Sequence, residues 1–191
     1  MVPNNRISLV TGPARSGKSE WAENLAETSG QAVIYIATST LDPADMDWQQ
    51  RVQLHRDRRP DHWQLQEVPI AVPAAILAAT AQDCLLIDSL GTWLANLLDQ
   101  DDATWQSTVQ ALIESLRQTP ATVILVSEET GWGVVPAYPI GRLFRDRLGY
   151  LTRQVGTVAG AVYLVVAGYA VDVKALGKRV YGQPYTLSLR P

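Results

Sequence analysis

Gly12-Pro13-Ala14-Arg15-Ser16-Gly17-Lys18-Ser19 restricts the possible folds of this chain more than any other stretch. The short, apolar, partly β-branched run Ile7-Ser8-Leu9-Val10 precedes it and reads as a buried strand. Glu20 to Glu27 follows and reads as a helix. A strand, a glycine turn ending in Lys-Ser and a helix together make a phosphate-binding P-loop. The glycines let backbone N–H groups turn inward around an anion, and the helix N-terminus adds partial positive charge at the same point. Lys18 is expected to reach the β- and γ-phosphates, and the Ser19 hydroxyl to hold Mg²⁺.

The remaining strands repeat the pattern a parallel sheet needs. Ala32–Ile36, Gln64–Val68, Cys84–Ile87, Ala121–Val126 and Val162–Val166 are strand candidates separated by helical stretches. The expected fold is an α/β P-loop NTPase (RecA-like), a mostly parallel sheet flanked by helices over residues 1–191. Helices are expected over residues 42–58, 72–81, 90–98 and 105–117, and in a long segment opening at Pro139. The apolar stretch from Ala159 to Val171 is too short to cross a bilayer and reads as a core strand. The tail over residues 175–191 offers an edge strand in Tyr185-Thr186-Leu187-Ser188-Leu189.

Composition narrows the partners. A net charge of −3 gives no general attraction to nucleic acid. The single cysteine, Cys84, lies in an apolar run and reads as a core thiol, so no disulfide forms within the chain, as suits the reducing cytoplasm. The first residues lead straight into a strand and offer no signal peptide.

Ligands in open α/β sheets sit at the carboxyl ends of the strands. Ala37-Thr38-Ser39 closes the second strand there, and Asp88 closes the apolar run Cys84–Ile87. An acid in Asp88's place lies beside Mg²⁺ in P-loop proteins, and also serves as a plain cap for the next helix. Glu67 stands near another strand end, where its carboxylate either accepts the N1–H and N2–H of guanine or is simply exposed. In the 42–58 helix, Asp47, Arg51, His55 and Arg59 make a polar stripe. His55 among arginines fits a neutral nucleophile for a phosphoryl or nucleotidyl group, and equally fits a solvated basic face. Ser127-Glu128-Glu129 ends a further strand, and the glycine-hinged loop Thr130–Pro136 reads as a candidate lid. Ile76 and Leu77 are expected to be buried, as is the stripe from Ile140 through Phe144, Leu148, Leu151 and Val155 to Val158. Arg142, Arg145 and Arg147 fall off that stripe, with water as their default surroundings.

Several motifs taken together resemble one family. They are Val10-Thr11 with the P-loop, Tyr35-Ile-Ala-Thr-Ser39, Arg51-x-x-x-His55-x-Asp57-x-Arg59, Leu86-Ile-Asp-Ser-Leu-Gly-Thr-Trp-Leu-Ala-Asn-Leu-Leu98, Glu129-x-Gly131-x-Gly133-Val-Val-Pro136 and Phe144-Arg-Asp146. The set is similar to the bifunctional adenosylcobinamide kinase and adenosylcobinamide-phosphate guanylyltransferases of cobalamin biosynthesis, from about Ile7 to Lys174. The resemblance implies two reactions. A nucleoside triphosphate, ATP or GTP, phosphorylates the aminopropanol hydroxyl of adenosylcobinamide. GTP then gives GMP to adenosylcobinamide phosphate through a guanylylated histidine, whose position His55 matches. It implies nucleotide contacts at Arg56, Asp57, Arg58, Arg59 and Glu67, and a homotrimer. Where Pro13, Glu128, Thr152-Arg153 and Gly160 stand, the family commonly has other residues. A small-molecule kinase lacking the guanylyl step and a nucleotide-driven switch are the alternative readings.

Overall fold

The computed structural model describes residues 6–40 and 59–180. Seven strands form one sheet in the order β3-β2-β4-β5-β1-β6-β7. These are β1 (Ile7–Gly12), β2 (Ala32–Ala37), β3 (Gln64–Glu67), β4 (Asp83–Asp88), β5 (Thr122–Glu128), β6 (Ala161–Val166) and β7 (Tyr169–Asp172). Every pairing is parallel except β6 with β7. The helices are α1 (Lys18–Glu27), α2 (Val72–Ala78), α3 (Leu90–Ala95), α4 (Asp102–Gln118), α5 (Pro139–Val158) and the short α6 (Val173–Leu176).

Central strands buried on both faces carry short apolar runs, here Leu9–Val10 in β1, Cys84–Ile87 in β4 and Val123–Val126 in β5. Their alternate side chains feed two cores. Ile7, Leu9, Leu85, Ile87, Val123 and Leu125 pack with α2, α3, α4 and α5. Val10, Cys84, Leu86, Ile124 and Val126 pack on the other face with Ala22 and Ala26 of α1. Trp93 and Trp105, both almost fully buried, meet at 6.4 Å in the first core. Cys84 is buried as expected, and burial raises its thiol pKa.

Several expectations change. The run from Ala159 to Val171 is not one core strand but a hairpin. It turns at Ala167 and Gly168, both at positive φ (51° and 79°), as a two-residue turn between twisted strands requires. The antiparallel edge strand is therefore β7, and residues 185–189 lie outside the described residues. Helices α2 and α3 end earlier than their apolar patterns suggest, at Ala78 and Ala95. Leu77 and Ile140 are exposed, because each sits on the outer side or first turn of its helix. Arg147 does not face water. It is 2% exposed and donates to the Leu98 and Gln100 carbonyls and to Asp102, with its guanidinium over the Trp105 ring. The chain leaving α3 and entering α4 supplies these acceptors, so the arginine closes that joint from inside.

Candidate active site

The carboxyl ends of the parallel strands carry the chemistry. The P-loop leaves β1 at Gly12, where a Cβ would stand 2.2 Å from the Val165 carbonyl oxygen and 2.8 Å from Ser16 Oγ. No side chain fits there. Arg15 takes φ 59° and Gly17 φ 95°, two left-handed residues that wrap the loop before Lys18 starts α1. The loop is tied to its neighbours by Glu129 N–H donating to the Gly12 carbonyl (2.9 Å) and Gly168 N–H to the Ser16 carbonyl (3.2 Å). Lys18 Nζ donates to the Pro13 carbonyl at 3.3 Å, which keeps the ammonium across the loop. Ala14 is exposed at the loop's crest. Ser16 Oγ is shut off from solvent and has no hydrogen-bond partner among the described residues. A loop wrapped by left-handed residues in this way can present successive backbone N–H groups to a phosphate.

The strand next to β1 is β5, and it separates the P-loop from Asp88 on β4. Glu128 ends β5 opposite Gly12. Its carboxylate accepts from Ser89 Oγ and, at 3.0 Å, from Gly91 N–H. Gly91 is required there, since a Cβ would lie 2.1 Å from Glu128 Oε2. Burial pushes the Glu128 pKa above the usual carboxylate range and Asp88 adds to this, while Ser89 and Lys18 pull it down. Glu128 thus feels both the P-loop lysine and the β4 acid. The sequence marks it only as a polar strand end, and its partners, nearly forty residues away, carry no local signal.

Asp88 accepts from the Tyr35 hydroxyl at 3.1 Å, and the Arg59 guanidinium lies 4.2 Å from the centre of the Tyr35 ring. Burial and the Asp88 charge together raise the Tyr35 pKa, so the phenol stays a donor. Thr38 is fully buried. Its hydroxyl accepts from Ser89 N–H, bonds the Ser89 carbonyl and meets the Thr92 hydroxyl, locking the ends of β2 and β4 together. Ala37 pairs with Asp88 on one side and Glu67 on the other. Ser39 follows, half-buried. Glu67 is exposed on β3, four strands from β1, or roughly 19 Å at ordinary strand spacing. The sheet therefore brings Lys18, Glu128 and Asp88 together and holds Glu67 and Arg59 on the far side of β4. His55, Arg56, Asp57 and Arg58 lie outside the described residues.

Ser19 and Asp88 offer hard oxygen donors of the kind Mg²⁺ prefers. Among the described residues no group of three or more His, Cys, Asp or Glu side chains could hold a metal by itself.

A family model described as "Cobinamide kinase / cobinamide phosphate guanyltransferase" matches residues 8–173. The bifunctional adenosylcobalamin biosynthesis protein CobP of Pseudomonas aeruginosa is 43% identical over 168 residues, covering 87% of this chain and 96% of that protein. The CobU proteins of Salmonella typhimurium and Escherichia coli are each 37% identical over 181 residues, covering 87% of this chain and 98% of theirs. Among solved structures, the bacteriophage phi6 P4 protein in complex with ADP aligns at a TM-score of 0.44 and 13% identity, over 86% of this chain and 53% of that one. The RadB recombinase aligns at 0.45 and 16%, over 83% and 73%.

Proposed function

The chain belongs to the cobinamide kinase / cobinamide phosphate guanyltransferase family, and from that premise we propose how its residues divide the two reactions. The family match over residues 8–173, with an intact P-loop at its start, carries the reading. In the first reaction a nucleoside triphosphate, ATP or GTP, lies with its phosphates in the loop from Gly12 to Ser19. The hydroxyl oxygen of adenosylcobinamide attacks the γ-phosphorus. The new O–P bond forms as the bridge to the β-phosphate breaks, and the nucleoside diphosphate leaves. Lys18 and the loop N–H groups stabilise the charge on the transferred group. Ser19 and Asp88 would hold Mg²⁺, which when bound neutralises charge on the β- and γ-oxygens.

In the second reaction the nucleophile is His55. One imidazole nitrogen attacks the α-phosphorus of GTP and pyrophosphate leaves. A phosphate oxygen of adenosylcobinamide phosphate then takes the GMP, breaking the N–P bond and freeing the histidine. Arg56, Asp57, Arg58, Arg59 and Glu67 are assigned to nucleotide contacts in this step. The Arg59–Tyr35–Asp88 chain supports that assignment, because it ties Arg59, which closes the sequence motif holding His55, to the acid at the end of β4. The loop over residues 130–136, with Trp132, Val134 and Val135 exposed, is the lid candidate. We further propose a homotrimer working in the cytoplasm without nucleic acid. The exposed apolar residues Tyr169 and Val171 on the edge strand β7 support assembly, and the net charge of −3 argues against a nucleic-acid partner. No helix among the described residues is long and apolar enough to cross a membrane.

Labelled GTP tests the guanylyl half. Protein incubated with α-labelled GTP and Mg²⁺ should carry an acid-labile label, as a phosphoramidate does, and His55→Ala should carry none. Label retained in the variant would move the nucleophile elsewhere, and no label on the wild type would leave a kinase alone.

A further inference from the structure

We propose that Tyr35 is a positioning residue shared by the two reactions: its hydroxyl sets the Asp88 carboxylate, and the face of its ring seats Arg59. This deepens the division of residues given above and rests on it. Leu86 is the register partner of Tyr35 on β4, and side chains two residues apart share one face of a strand. Asp88 is therefore the diagonal neighbour, and the ring is long enough to bring its hydroxyl to Asp88 Oδ2 at 3.1 Å. Tyr35 is 5% exposed and belongs to the core on the α1 face with Val33, Trp63 and Leu86.

Three observations give this phenol a task beyond packing. A phenylalanine would fill the same core, whereas a hydroxyl taken out of water is costly unless it is bonded. Tyr35 gives its hydrogen bond to the carboxylate assigned to Mg²⁺, and burial together with the Asp88 charge keeps it a phenol. A donor of this kind holds a ligating carboxylate in one orientation. The same ring carries the Arg59 guanidinium 4.2 Å from its centre, a cation–π contact. Beyond Arg59, Trp63 Nε1 donates to Glu27 Oε2 at 2.8 Å. The segment that leaves the His55 motif is thus fastened to β2 at one end and to α1 at the other. One side chain stands under both the acid at the end of β4 and an arginine assigned to the guanylyl step. The sequence conceals this, since Tyr35 sits in an apolar strand.

Two substitutions separate the halves of the proposal. Tyr35→Phe keeps the ring and removes the donor. It should bind Mn²⁺, added with the non-hydrolysable analogue β,γ-imido-GTP and followed by electron paramagnetic resonance, about tenfold more weakly than the wild type. The half-saturating Mg²⁺ for the kinase step should rise by about the same factor, with KM for nucleotide at saturating Mg²⁺ within about twofold. A phenol that only supports the fold would lower the urea midpoint and leave Mn²⁺ affinity as it was, and that result overturns the Asp88 half. Trifluorophenylalanine in place of Tyr35 has nearly the shape of Phe but a ring face stripped of its negative potential. Relative to Tyr35→Phe it should slow single-turnover labelling by α-labelled GTP about threefold or more, with the kinase step within about twofold. Equal labelling rates in the two variants, or an equal fall in both reactions, overturn the Arg59 half. A wild type that takes no label sinks the guanylyl reading and the Arg59 half with it. A wild type that binds no Mn²⁺ with the analogue sinks the Mg²⁺ assignment and the Asp88 half with it. A wild type that does both, with the two variants unchanged, sinks this inference alone.

Discussion

The two corners of the active edge are built in opposite ways. At the β1 corner, eight consecutive residues make the whole phosphate cradle, and long-range contacts only brace it. At the β4–β5 corner no run of residues suffices. Glu128 meets Ser89 and Gly91, Tyr35 meets Asp88 and Thr38 meets Ser89, across separations of 37 to 53 residues. A cradle made by one turn depends on local conformation. A cluster made by four elements depends on their packing, so it ties catalysis to stability.

Substitutions that touch one corner should therefore read out differently from those that touch the other. The largest effect is expected at the local corner. Lys18→Ala should lower kcat/KM of the kinase step by about 10²–10³-fold with little change in Tm, because it removes a transition-state donor and no core packing. Gly91→Ala should do the reverse. It forces a Cβ into the Glu128 carboxylate and should destabilise by about 1–3 kcal/mol in urea melts. Glu128→Ala in the same chain should recover much of that loss, and a double-mutant cycle showing additivity would mean the two residues do not touch. Arg147→Ala is a control away from the edge. It strands the Leu98 and Gln100 carbonyls and should cost about 2–3 kcal/mol, leaving KM for nucleotide unchanged. Tyr35→Phe is smaller, about 1 kcal/mol for one hydrogen bond, measured by the same melts.

The weakest effect is a pH dependence. Glu128 has a raised pKa in the folded protein, so the folded state holds its proton more tightly than the unfolded chain does. Its contribution to stability is fully present below the ordinary value of 4.5 and is lost as pH rises through the raised value. The Tm of the wild type minus that of Glu128→Gln should therefore fall as pH rises from 4.5. A difference that rises instead would mean that the ion-paired form dominates.

The same contrast decides what a reader of the sequence can see. The P-loop is legible because its chemistry needs fixed spacing and its flanks carry the periodicity of a strand and a helix. Asp88 is legible because a buried strand that ends in an acid is a pattern. Arg147 is not, since nothing near it in sequence shows that Leu98, Gln100 and Asp102 converge on its guanidinium. The β6–β7 hairpin escapes because Ala167 takes a left-handed turn position that Asn or Gly usually marks. Glu67 reads as a strand-end carboxylate, but its distance from the P-loop follows from strand order, which local sequence does not state.

The account turns on one chain performing both transfers in sequence. Adenosylcobinamide, Mg²⁺ and GTP labelled at the α- or γ-phosphate test this directly. The γ-label should appear first in adenosylcobinamide phosphate, and the α-label then in adenosylcobinamide-GDP. Under Lys18→Ala both products should fall, while His55→Ala should abolish only the second. Formation of the GDP product by His55→Ala at the wild-type rate, or no phosphorylated cobinamide from the wild type, would contradict it.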